Sequence, residues 1–272
     1  MKVIKASGLE EVFSSGKIYN TILEAGGSGK LARKIIEVVK KEYHKNMTTQ
    51  EILEIILREL KDYPDIRARY DLKRAIMTLG PSGFPFETFF GNLLKEYNYE
   101  TKVHNFIKGK VITHEVDIIA KEISSGKSYM IECKYHNESG TSTDLHPALY
   151  TYARFLDLNE KDRPDSPWLV TNTKCSEDAV GYAKGVGLKI TSWSFPQEES
   201  LRKLIQEKKL YPITILKTIS SKTKNKLFNA NIVIAKNLLK HPVEELIEKT
   251  GLTKNEVEKI LEEVRIVCDI NN

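Results

Sequence analysis

A mixed α/β fold, with a sheet covered by helices between two mostly helical ends, is what this sequence predicts, on three observations. Helical periodicity dominates to about residue 79; strand-like runs alternate with helices from about 85 to 193; helical periodicity returns after about 228. The cluster Gly80-Pro81-Ser82-Gly83 marks the first change and a lysine-rich stretch marks the second. At 272 residues the chain is long enough for about two domains. The expected division is 1–82, 83–199, a basic connecting segment at 200–226, and a helical unit at 227–272.

In order along the chain, residues 2–6 read as a short strand. Ile18, Ile22 and Leu23 then suggest one helix, and Leu31, Ile35, Ile36, Val38 and Val39 a second. A third is capped by Thr48 or Thr49 and carries Ile52, Leu53, Ile56, Leu57 and Leu60 at helical spacing. A fourth runs from about Ile66 to Leu79. Beyond the Gly/Pro cluster come an amphipathic helix at 85–97 and strands at 99–107, 110–122 and 127–136. The last two strands are joined by the turn Ser124-Ser125-Gly126. A helix at 144–157, a strand at 167–171, a helix at 175–185 and a strand at 188–193 complete the central part. Helices are expected at 228–239, 242–250 and 253–266.

Composition narrows the class. Hydrophobic residues at 40% and charged residues at 29% describe a chain with a buried core, not a disordered one. No apolar run approaches the roughly 18 to 20 residues of a bilayer span, and the first residues lack a signal-peptide core, so no membrane partner and a cytoplasmic location are expected. Cys133, Cys175 and Cys268 are odd in number and form no CxxC pair, which argues against a disulfide framework or a cysteine zinc site. The net charge of +5 divides unevenly: residues 1–81 carry +4, 82–199 carry −4 and 200–272 carry +5. Within 200–226 eight lysines and arginines face a single acid, Glu207, which suits either a solvated linker or a phosphate-contacting arm.

The chemistry concentrates in two strands, THEVDIIA and MIECKY. Strand side chains alternate, so Glu115, Asp117 and Ile119 are expected on one face and Val116 and Ile118 on the other. Glu132 and Lys134 share a face of the second strand. Two carboxylates and a lysine among Ile, Val, Met and Tyr need a reason, because buried charge is costly unless it is paired or binds metal. Mg²⁺, or Mn²⁺, would supply it, since one or two carboxylates completed by substrate phosphate form its usual enzyme site. Lys134 would then orient or help deprotonate an attacking water, and Glu87 on the preceding helix offers a further carboxylate.

On these residues the segment from Phe84 to Leu158 resembles the Mrr-like restriction endonucleases of the PD-(D/E)xK nuclease superfamily. The helix glutamate is Glu87, HEVD ends in Asp117, ExK is Glu132-Cys133-Lys134, and ALYTYARF (Ala148 to Phe155) matches the family's next helix. The resemblance implies a restriction-endonuclease-like sheet and Mg²⁺-dependent phosphodiester hydrolysis, with Asp117 and Glu132 as metal ligands and Lys134 positioning water. Glu132 stands where many relatives carry Gln, and Val116 replaces the proline of the superfamily's name. DNA is the implied substrate, and one site per chain implies a homodimer for cutting two strands.

Ala25 to Lys30 (AGGSGK) looks like a Walker A loop and fails as one. Glu24 stands where the first glycine belongs, and Leu31 replaces the hydroxyl that would reach Mg²⁺. Residues 2–80 instead resemble the ATP-cone regulatory domain of ribonucleotide reductases and their repressors. VIKASG at 3–8 stands for V-x-K-R-D-G, followed by Phe13, Lys17-Ile18, Tyr70 and Arg74. The resemblance implies ATP or dATP as a regulatory ligand contacted by Lys5, Glu11, Lys17 and Thr49. Ala6 and Ser7 replace Arg and Asp, which leaves one phosphate contact missing.

Residues 243–261 read as helix, Gly251-Leu252 turn, and a second helix capped by Thr253, which suits a helix-turn-helix or a hairpin that docks or dimerises. Glu256, Glu258, Glu262 and Glu263 suit a phosphate-lined groove poorly. His114, His136 and His146 are expected at the edge of the site, and Trp168 and Trp193 in the core. The leading expectation is a metal-dependent DNA endonuclease regulated by nucleotide. The alternative is a nucleotide-responsive DNA-binding regulator built on an inactive nuclease fold.

Overall fold

The computed structural model describes residues 1–138, 140–158 and 163–270. The chain begins with a hairpin, β1 (Lys2–Ile4) and β2 (Glu10–Val12), followed by α1 (Ser15–Glu24), α2 (Gly29–Glu42), α3 (Thr49–Glu59), α4 (Pro64–Tyr70) and α5 (Leu72–Met77). Ser14, Ser28 and Thr48 cap α1, α2 and α3, and Thr48 forms a full capping box with Glu51. Ser28 thus explains the glycine-rich loop, which starts a helix and follows another. The second strand of the hairpin is an addition to the expected pattern; its three residues, Glu-Glu-Val, carry no alternation long enough to read.

The single helix expected from Ile66 to Leu79 is two, broken at Asp71. Asp71 is buried, and its carboxylate takes Arg74 from its own helix and Lys217, at 3.2 Å, from the other end of the chain. Packing changes at the same place. Residues from Val3 to Ile66 form one hydrophobic cluster, whereas Ala68, Leu72, Ala75, Ile76 and Leu79 belong to a larger cluster with the sheet and the carboxy-terminal helices. The Gly80–Gly83 turn therefore separates elements without separating cores.

The central part contains α6 (Phe84–Lys95), β3 (Tyr99–Lys108), β4 (Thr113–Glu122), β5 (Ser128–Lys134), β6 (Ser142–Thr143), α7 (Leu145–Asp157), β7 (Ser166–Thr171), β8 (Lys174–Cys175), α8 (Glu177–Val186) and β9 (Lys189–Thr191). Five strands form a mixed sheet in the order β3-β4-β5-β7-β9, antiparallel through β5 and parallel beyond it. The parallel half requires crossovers, which α7 and α8 provide. Phe86, Phe89, Phe90 and Leu93 of α6 cover one face with Ile118, Ile131 and Trp168. Phe155 of α7 meets Val116 and Met130 on the other face, and Ala148 and Ala179 meet Leu169 and Ile190.

The lysine-rich segment at 200–226 is not a linker. It contains α9 (Leu201–Glu207), a 3-10 turn at Ile213–Ile215 and most of α10 (Ser221–Asn229), and it buries Leu201, Ile205, Leu210, Tyr211, Ile213, Ile215 and Leu216. Its cations are turned to structural use. Lys208 bonds the Glu96 carbonyl over the Tyr97 ring, Lys209 pairs with Asp269 at 3.0 Å, Lys224 donates to the Thr78 carbonyl and Lys226 to that of Gly251. Each of these side chains lies against the fold.

The expected helix at 228–239 is replaced by the end of α10, a turn and a 3-10 helix at Ala235–Lys240. α11 (Val243–Thr250) ends on left-handed Gly251, and α12 (Lys254–Val267) buries Val257, Ile260, Leu261, Val264 and Val267 in the larger cluster. Glu263 accepts hydrogen bonds from the Lys217 and Thr218 backbone amides, at 2.6 and 2.9 Å. Arg69 of α4 reaches the Val267 carbonyl at 3.5 Å. The hairpin is thus docked on the rest of the chain. Among the described residues no helix is long and apolar enough to cross a membrane.

Because 200–216 is core, Ile205→Ala should lower unfolding free energy by about 2–5 kcal/mol in a denaturant titration, whereas Lys222→Ala should change it by less than about 0.5 kcal/mol.

Candidate functional site

Glu87 sits in the first turn of α6, beside the aromatic stripe that holds the helix on the sheet. A helix amino terminus favours a carboxylate. Glu87 is nevertheless pushed up to about 7, first by burial and then by Asp117 and Glu115. His104 on β3 stands 3.6 Å from Glu87 and 3.8 Å from Glu115, and its ring stacks on Phe84 at 4.6 Å.

The β3–β4 ladder runs from Tyr99–Glu122 to Val103–Ile118 and resumes at Asn105–Val116. His104 and Asp117 fall in the gap, and His104 has a φ of +52°, a left-handed conformation unusual for a non-glycine residue inside a strand. The expected alternation breaks there: Ile118 packs with α6, but Val116 packs with Phe155 of α7. On its other side β4 pairs with β5 only over Ile118–Lys121, so Asp117 lies just beyond that ladder. Its Oδ2 accepts the Cys133 backbone N–H at 2.7 Å. Burial raises the Asp117 carboxyl, while the Cys133 amide and Arg154 draw it down.

Glu132 is largely buried and ion-paired with Arg154 of α7. Burial and the neighbouring Asp117 push it up to about 7 against the opposing pull of Arg154. Lys134 ends β5, exposed and without an ion pair among the described residues. Asp117, Glu132, Lys134 and Glu87 are therefore brought within mutual electrostatic reach where β4 parts from β5. Among the described residues no three carboxylate, imidazole or thiol side chains converge to enclose a metal ion. In its chemistry the donor set still suits Mg²⁺ or Mn²⁺, since it offers hard carboxylate oxygens, each destabilised by the other's charge.

Arg154 and His104 are the functional candidates that pattern reading passes over. Arg154 carries a signal, since it lies on the buried stripe Ala148, Thr151, Arg154, Phe155 of α7, where a lone cation needs an acid. His104 carries none in a strand of polar residues. Of the histidines expected at the edge of the site, His114 meets Asp157 at 2.7 Å, His136 meets Thr143 at 3.0 Å, and His146 is exposed beside Asp144.

Lys5, Glu11, Lys17 and Thr49 line one cavity of about 420 Å³. Glu11 is committed to both lysines, at 2.7 Å from Lys5 and in contact with Lys17, which holds its carboxyl down at about 2. Its role is therefore to set the lysines in place. Thr49 is the first residue of α3, the cap being Thr48.

Comparison with known proteins places these features in a family. Residues 1–76 match the ATP cone domain and residues 211–268 match the domain described as AF1548-like, C-terminal. An uncharacterized protein of Archaeoglobus fulgidus is 40% identical over 175 residues, which cover 64% of this chain and 97% of that protein. The crystal structure of AF1548, a protein of unknown function, is 36% identical and superposes with a TM-score of 0.62 over 70% of this chain and 100% of its own. This chain belongs to the AF1548 family and carries an ATP-cone domain at its amino terminus.

Two glutamates raised to about 7 give the site a pH signature. A raised carboxyl stabilises the fold below its unfolded value, near 4.5, and that contribution is lost as pH climbs through 7. Metal-free protein should thus lose thermal stability between pH 5 and 8, with a shallower loss in Glu132→Gln.

Proposed function

We propose that this protein is a metal-dependent endonuclease of Mrr-like, PD-(D/E)xK type that hydrolyses phosphodiester bonds in DNA, with ATP or dATP on the cone as regulatory ligand. The observation that carries this reading is the meeting of Asp117, Glu132 and Lys134 at the point where β4 parts from β5, with Asp117 held on the Cys133 amide. Mg²⁺ held by Asp117 and Glu132 would supply Lewis-acid activation of a phosphoryl oxygen. Lys134, exposed and uncommitted, directs its ammonium to the attacking water and to the charge that develops on the phosphate. Glu87, poised near neutral pH, accepts or holds a proton within the same network. Arg154 fixes the Glu132 carboxylate from behind. The ATP-cone match supports a nucleotide ligand, and one site per chain supports a homodimer for cutting both strands.

The second reading, a nucleotide-responsive DNA-binding regulator with an inactive nuclease fold, draws on one observation: Arg154 already neutralises Glu132, one of the two metal-ligand carboxylates. Cleavage of linear, supercoiled, methylated and branched DNA with Mg²⁺ or Mn²⁺, with and without ATP, separates the two. Asp117→Ala and Lys134→Ala should each reduce cleavage by roughly 10²–10⁴-fold without loss of DNA affinity. Nucleotide-dependent DNA binding with no turnover in wild type would establish the regulator instead.

A further inference from the structure

The cavity that holds the cone lysines is not made by the cone hairpin and α3 alone. Its far wall is Thr173 and Trp193, which follow β7 and β9 of the central sheet, and Lys174 of the small β6–β8 pair, together with Lys73 of α5. We propose that a nucleoside triphosphate bound there is clasped between the two parts of the chain, its phosphates held by Lys73 and Lys174 as well as by Lys5 and Lys17. This rests on the reading of the cone as a nucleotide site; Lys73 lies in the last helix of the cone match, and the part that the cone does not contribute is Lys174 with Thr173 and Trp193.

Charge supports it first. Lys5 and Lys17 are answered by Glu11, but among the described residues neither Lys73 nor Lys174 has a carboxylate partner. Lys73 is half-buried, donates to the Asn172 carbonyl and lies 4.5 Å from the Trp193 ring centroid. A cation enclosed this way, with a second lysine beside it, is expensive unless an anion joins it. Burial and Lys174 together push the Lys73 ammonium down to about 7. A triphosphate would reverse that shift.

Shape supports it independently. Gly140, on the loop that follows β5, lies against the cone: a Cβ there would stand 3.1 Å from the Ser7 nitrogen and 3.4 Å from the Ala6 Cβ. Its φ of +89° also favours glycine. The approach is to the backbone at residues 6 and 7 and to the Ala6 Cβ, so the small side chain of Ala6 admits it. The charge that Ala6 lacks is present across the cavity on Lys73 and Lys174. A volume of about 420 Å³ falls within the roughly 300–1,000 Å³ of small-molecule sites.

Calorimetric titration of the full-length protein with ATP, dATP and inorganic tripolyphosphate tests the proposal. Lys73→Met and Lys174→Glu should each weaken ATP binding about ten-fold or more, as Lys5→Ala does, and all three should weaken tripolyphosphate binding alike. Lys174 is exposed, so its variant keeps the test valid if Lys73→Met does not fold. ATP should also change tryptophan emission in wild type and not in Trp193→Phe. If Lys5→Ala loses ATP while Lys73→Met and Lys174→Glu bind it as wild type does, the clasp is overturned and the cone reading stands. If wild-type protein binds no nucleotide, both fall.

Discussion

Three carboxyl groups, Glu87, Asp117 and Glu132, are drawn out of water at one corner of the sheet, and the local architecture follows from how their charge is answered. Arg154 reaches across from α7 to Glu132, and the Cys133 amide serves Asp117 because β4 has already parted from β5. His104 adopts a left-handed conformation opposite Asp117 and approaches Glu87 and Glu115. These answers are partial: burial and mutual repulsion still outweigh them at Glu87 and Glu132. A fold that only had to be stable would place apolar side chains here, since exchanging buried charge for packed hydrophobic residues is often neutral or stabilising. Residual electrostatic stress of this kind is what makes these carboxyl groups candidates for function.

The scaffold that sets this corner is continuous with the rest of the chain. α5, which matches the end of the ATP cone, packs in the same cluster as α6, the sheet and α12. Asp71 joins that helix to Lys217, and Arg202 joins Glu24 at 2.8 Å. Of the carboxy-terminal glutamates, Glu263 makes such a contact with the 217–218 amides, while Glu256 caps its own helix.

Much of this was legible in the sequence. The alternation in THEVDIIA and MIECKY placed β4 and β5, and capping threonines placed the starts of α3 and α12, because both signals are local. What stayed hidden depended on partners distant in the chain. In 200–226 the lysine density concealed Leu201, Ile205 and Leu210, whose burial is decided by α5, α6 and α12. Two-residue periodicity failed at Asp117 because the irregularity arises on the opposite strand, at His104. Asp71 reads as an ordinary helix residue until Lys217 arrives 146 residues later. Trp193, expected in the core, turns out to border a cavity, a distinction that only the positions of Lys73 and the cone decide.

Asn172 gives this arrangement a mechanical character. Its side-chain oxygen accepts the His136 N–H at 2.9 Å, its side-chain nitrogen donates to the His136 carbonyl at 2.7 Å, and its own carbonyl receives Lys73. His136 stands two residues past Lys134 and feels the charge of both Lys134 and Lys73. The strand end that bears Lys134 and the helix that bears Lys73 are thus joined through one buried residue, Asn172.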